Sequence, residues 1–257
     1  SGYGPGGAGG AGVGDADVAR KLQGMQMHQT GDARPVTLRD RPAFGVEHAF
    51  GSEVLDQQDA GIVIAIEDVR GGEAPFTDVA ADGPGAEAMR WADETGVQPA
   101  LSPTEYGADR AVTRGDVAVA LHRLAGAPEV DLETAPALFT DLGDDPAERA
   151  ALLWLHGRGA LWGDAELKVR PADPATRDCA AMMLTALLRP ALAGVGATWD
   201  ATAEAGSDLP EVAWLAAAGM VPDSLSTTDW AGAAGMTRAD LAASLHRADV
   251  VIADALG

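Results

Sequence analysis

The residues best suited to chemistry are three arginines, Arg114, Arg177 and Arg238, each directly following a threonine. A guanidinium is a planar fork that grips a carboxylate through two hydrogen bonds. Thr113 and Thr237 are natural helix N-caps, and Asp116 and Asp240, three residues on, complete an acidic capping box. An arginine beside an N-cap is disfavoured by the helix dipole by ~0.3–1 kcal/mol. A bound anion reverses that sign, because free helix N–H groups, the dipole and the guanidinium then converge on it. The competing role is an internal salt bridge from each arginine to an acid such as Asp78 or Asp116.

The arginines belong to a register. Trp91, Trp154 and Trp214 are spaced by 63 and 60 residues, and each is followed five residues later by a glycine, Gly96, Gly159 and Gly219. The arginines follow those glycines by 18, 18 and 19 residues, and Asp78, Asp141 and Asp200 precede the tryptophans by 13, 13 and 14. Each unit therefore reads as an opening loop (Phe76–Asp78, Phe139–Asp141, Thr198–Asp200), a tryptophan-bearing helix ended by glycine, a loop of about 15 residues, and a second helix beginning at Thr-Arg. Positions three, seven and ten beyond each arginine form one apolar stripe: Val117, Leu121 and Leu124; Ala180, Leu184 and Leu187; Leu241, Leu245 and Ala248. No two-helix unit can cover its own stripe, so the three stripes are expected to face one another.

This pattern resembles surface-layer homology (SLH) repeats, over roughly Pro75 to Ala255. The resemblance implies a mostly α fold in which three helix-loop-helix repeats, 72–130, 131–193 and 194–257, form a pseudo-threefold prism around a central three-helix bundle. It also implies an extracellular protein of the bacterial cell wall, held non-covalently by a secondary cell-wall polysaccharide, an anionic and in many members pyruvate-bearing glycan bound in grooves between repeats. Carried over position by position, the glycan-binding residues are Arg114, Arg177 and Arg238, with Asp78, Asp141 and Asp200, Trp91, Trp154 and Trp214, and Gly96, Gly159 and Gly219. Unit two departs from the pattern at Asp178 and Cys179, where a thiol takes the capping acid's place, and unit three shifts its opening aromatic to Trp199. Fewer than three working grooves are therefore expected, with unit one closest to the family.

Plainer roles compete for several of these residues. The mid-helix tryptophans suit core packing, whereas Trp162 and Trp230, in inter-helix loops, suit stacking on a sugar. The glycines suit helix termination. Acid pairs four apart, Asp78/Asp82, Asp141/Asp145 and Asp200/Glu204, suit capping better than calcium, whose loops carry denser oxygen ligands. His122 and His246, each followed by arginine, read as a solvated helix face. Zincin, nucleophile-elbow and phosphate-loop signatures are missing from the sequence, so the expectation is a non-enzymatic protein without metal or cofactor.

Composition bounds the rest. Of 257 residues, 39 are acidic and 18 basic, a net charge of −21, which excludes a general nucleic-acid binder. The apolar share of 47% supports a substantial core, and no apolar stretch approaches the ~20 residues of a membrane-spanning helix. No signal segment opens the chain, so any export signal is expected to have been removed. The single cysteine excludes an internal disulfide.

Residues 1–14 read as a Gly-rich linker. Residues 15–70 read as a small extension of mixed or β character, with a helix at Asp17–Met27 and strands at Pro35–Arg39, Phe44–Phe50 and Gly61–Val69. Two further functions stay open: a surface structural module that keeps the repeat fold without glycan and meets another protein through residues 1–70, or the terminal fragment of a wall hydrolase. An acidic surface should repel an anionic polymer, so specific binding is expected to tighten in moderate salt.

Overall fold

The structure, a computed structural model, describes residues 76–257 except 136, 202–206 and 226–228. The linker and extension expected over 1–70 lie outside these residues.

Six helices account for the regular structure among the described residues: α1 Ala86–Glu94, α2 Arg114–Leu124, α3 Pro146–Gly157, α4 Arg177–Gly194, α5 Pro210–Ala217 and α6 Arg238–Leu256. The expected mostly α class holds. Their ends follow local chemistry. Thr113 and Thr237 each cap with the reciprocal box, accepting from Asp116 and Asp240 backbone N–H at 3.1 Å, while Thr176 accepts from Cys179 N–H. Gly96, Gly159 and Gly219 sit at φ of 72°, 72° and 73°, the left-handed conformation that lets the chain leave α1, α3 and α5. After α3 and α5 the bonds Ala160 N–H to Leu155 and Met220 N–H to Leu215 complete the Schellman pattern.

All nine stripe residues are buried. Each tryptophan-bearing helix packs on the second helix of a different unit: α3 on α2, α5 on α4, and α1 on α6 at the far end of the chain. α2 also packs against both α4 and α6.

The segments leading into α2, α4 and α6 are joined in a closed cycle of backbone bonds. Val112 N–H donates to Met236, Met236 to Ala175 and Ala175 to Val112, at 2.9–3.0 Å, flanked by antiparallel bridges 111–237, 113–174 and 176–235. Three residues widely separated in sequence thus start three helices from one ring, which pays the loop-closure entropy jointly.

Candidate functional site

The helix starts around this ring leave no free N–H for an anion. The first two amides of α2, at Arg114 and Gly115, donate to Asp173 and Pro171 carbonyls; those of α4, at Arg177 and Asp178, donate to Ala234 and Gly232; those of α6, at Arg238 and Ala239, donate to Arg110 and Ala108. The threonine caps take the third amide. The expected convergence of free amides on a bound anion is therefore corrected: backbone carbonyls of a neighbouring unit hold those groups already. Over α2 the place is further filled by the protein, since the Glu148 carboxylate occupies the space a Cβ at Gly115 would need. Burial, with Asp145 and Asp116 nearby, pushes the Glu148 carboxyl up.

The three guanidinium groups reach across the same junctions. Arg114 Nε donates to the Val169 carbonyl at 2.9 Å, and one terminal nitrogen lies 2.9 Å from Cys179 Sγ. Arg238 Nε donates to the Tyr106 carbonyl at 3.0 Å and a terminal nitrogen to Pro99, with the cation 5.0 Å from the centre of the Tyr106 ring. Arg177 donates from one terminal nitrogen to the Trp230 carbonyl at 3.1 Å, and its Nε–H is buried without a partner. The three acceptors Val169, Trp230 and Tyr106 each stand eight residues before the next arginine in the register. No carboxylate lies within ion-pair distance of these arginines among the described residues, so the alternative of salt bridges to Asp78 or Asp116 is also corrected, to main-chain carbonyls. Arg177 lines a narrow cleft of about 10 Å³, room for one acceptor atom or water, walled chiefly by Ala180, Leu184, Leu215, Met220, Trp230 and Met236.

The aspartates organise the loops. Asp78 accepts from Tyr106, Gly107 and Ala108 N–H at 2.8–3.0 Å, and Asp141 from Val169 and Arg170 N–H at 3.0 and 2.7 Å. Desolvation raises the Asp78 carboxyl, and the three amides outweigh it and hold it below the usual carboxylate range. Asp200 is exposed and makes no such contact among the described residues. Of the second acids, Asp145 caps α3, accepting from Ala147 N–H, whereas α1 is capped by Gly85 rather than Asp82, and Glu204 lies outside the described residues. Among the described residues no group of three His, Cys, Asp or Glu could hold a metal ion.

Trp154 and Trp214 are buried and Trp91 half-buried, all packed inside unit junctions. Trp154 meets His122 at 5.3 Å between ring centres, Trp91 meets His246 at 5.1 Å, and Trp214 stands edge-on to Trp199 at 5.9 Å. His122 and His246 are thus not a solvated face: they line the seat of the next unit's tryptophan, a position held in unit two by buried Thr185. His122 Nε2 bonds the Pro128 carbonyl at 2.8 Å. Its burial pushes its pKa down, partly opposed by that bond and helped by Arg123. Between the two pKa values the unfolded histidine binds the extra proton, so stability falls as pH drops below about 6.5. Urea midpoints from pH 7.5 to 5 should decline more steeply in the wild type than in His122→Gln. Equal slopes would contradict a neutral buried ring.

In unit two the displaced acid has a structural use. Asp178 accepts from Trp230 Nε1 at 2.8 Å, which buries Trp230, contrary to the expected exposed ring, and leaves Trp162, 47% exposed, as the solvent-facing loop tryptophan. Cys179 takes the capping position; burial pushes its thiol up, opposed by Arg114. Asp178 lies where a Cβ on Gly232 would fall. Gly232→Ala should therefore cost about 1–3 kcal/mol, read as a lowered Tm. An unchanged Tm would mean that the Asp178–Trp230 pair is loosely held.

No family model and no curated protein matches the chain. No helix among the described residues is long and apolar enough to cross a membrane.

Proposed function

We propose that this chain is an SLH-type wall-anchoring module, extracellular on a bacterial surface and non-enzymatic, that binds an anionic cell-wall glycan at the junction of units two and three. Its three repeats close into a ring from which α2, α4 and α6 descend as the inner helices. The observation that carries the proposal is Arg177: a buried Nε–H without an acceptor, at the edge of an inter-unit cleft, beside two equivalent arginines whose Nε–H groups are satisfied by carbonyls. An unmet buried donor costs about 1–3 kcal/mol, and an anionic acceptor in the cleft would remove that cost. Arg114 and Arg238 then act as latches between units, and the glycan-contacting role of the buried tryptophans and the helix-ending glycines is dropped in favour of packing and termination.

A second function is favoured by the satisfied helix starts: a surface structural module that keeps the ring and binds no glycan. Co-sedimentation of the full chain with purified cell-wall sacculi separates the two. Retention in the pellet, undiminished or strengthened by moderate salt, supports anchoring. Recovery in the supernatant supports the structural module, and steep loss with salt points to diffuse charge attraction.

A further inference from the structure

Unit two displays a tryptophan on its surface, where the matching loop of unit one exposes Leu101, 42%. Trp162 and Leu167 are 47% and 55% exposed, and both stand in the loop between α3 and α4. The register puts Pro99 and Pro222 at the position of Trp162, and Thr104 at that of Leu167, where matching bonds Thr77 N–H to Thr104 and Thr140 N–H to Leu167 confirm the correspondence.

The loop is firmly braced. Asp164 forks onto Arg170 at 2.7 and 3.1 Å and accepts from Glu166 and Lys168 N–H, while the Asp141 carboxylate holds Val169 and Arg170 N–H. The Phe139 ring fills the space beside Gly163, directly under the chain after Trp162. Leu167 and Arg170 are held at φ of 59° and 54°, where side-chain-bearing residues are strained. Trp162 and Leu167 are thus displayed on one braced loop, with Pro99 and Thr104 at the matching positions of unit one.

The size and rim of this patch select its occupant. A half-exposed indole and one leucine offer on the order of 200 Å², far below the roughly 800 Å² per partner of a stable protein interface. A single sugar ring matches it: its C–H face covers an indole, and its hydroxyl edge suits the polar groups of the same loop, where Asp164 pairs with Arg170 and Glu166 with Lys168. We infer that Trp162, with Leu167 exposed in the same loop, is a stacking platform for one sugar ring of the wall glycan, separate from the Arg177 cleft and resting on the anchoring function proposed above. Arg114 braces the same loop through the Val169 carbonyl.

The test uses the full chain and purified wall polysaccharide, with affinity read by titration and accessibility of the indole read by iodide quenching. Trp162→Ala is expected to weaken binding about tenfold with an unchanged Tm, Trp162→Phe to restore most of it, and glycan to shield part of the wild-type fluorescence from iodide. If Trp162→Ala binds like wild type while Arg177→Ala does not bind, the platform is overturned and the anchoring function stands. If the wild type itself fails to bind, both are overturned. If Trp162→Ala unfolds, the iodide shielding of the wild type decides: its absence overturns the platform.

Discussion

Arg177→Ala is expected to lower affinity for purified cell-wall polysaccharide by about tenfold to a hundredfold and to change Tm very little, whereas Arg238→Ala does the reverse. The difference follows from what each guanidinium already holds. Removing Arg177 gives up one bond to the Trp230 carbonyl and also removes a buried, unsatisfied Nε–H, so its effects on folding nearly cancel. The lost contact with a bound anion is a charge-assisted bond worth about 1.5–3 kcal/mol, or roughly one to two decades in Kd.

Removing Arg238 instead strands the Tyr106 and Pro99 carbonyls and loses a cation–π contact, at the one junction that joins the last unit to the first. A cost of about 2–3 kcal/mol is expected there. Thermal melts and titrations of both variants check the pair of outcomes. Equal losses of binding in the two, with equal Tm, would mean that the arginines share one role.

Trp214→Ala should be the most damaging single substitution to stability. The indole is 2% exposed, covers α4 from α5, and stands edge-on to Trp199. Deleting it leaves a cavity and costs about 3–5 kcal/mol, a large share of the ~5–15 kcal/mol that holds a domain together. Trp214→Phe should cost much less and should bind glycan as the wild type does, because the ring fills space and does not touch ligand. A folded Trp214→Phe that has lost binding would return the tryptophans to the glycan site. Urea denaturation and titration on the two variants give both readings.

How much of this was legible in the sequence depends on whether the determinant is local. The threonine caps, the helix-ending glycines and the nine-residue stripe rest on contacts within one turn or on 3.6-residue periodicity, and all are found where the spacing puts them. The partners of the arginines were not legible, because their acceptors are main-chain carbonyls that have no residue signature and lie 53 to 139 residues away. Carboxylates, which do have one, were the natural but mistaken choice.

The seat of the tryptophans was missed for a different reason. One signal for it was present: four residues beyond each arginine stands an alanine, Ala118, Ala181 or Ala242, all buried, and four further on stands His122, Thr185 or His246. A small residue followed about one turn later by His or Thr, beside the apolar stripe, marks a second face, where a neighbouring helix can approach closely. The arginine following each histidine drew attention to solvent instead. Trp230 is buried rather than free to stack because its partner, Asp178, departs from the repeat and announces itself only through geometry.

The acidity of the chain also takes on a definite meaning. A net charge of −21 disfavours an anionic polymer at long range, while a single desolvated donor in an apolar cleft acts at contact distance, where screening by salt matters little. Attraction and repulsion are thereby separated in range.

The most direct test of the central claim is calorimetric titration of the full chain with purified secondary cell-wall polysaccharide fragments. Saturable binding is expected at one arginine-dependent site per chain, abolished or strongly weakened by Arg177→Ala and retained by Arg114→Ala wherever that variant folds. Absence of binding by the wild type, or three equivalent sites that lose one each with the three arginine variants, would contradict it.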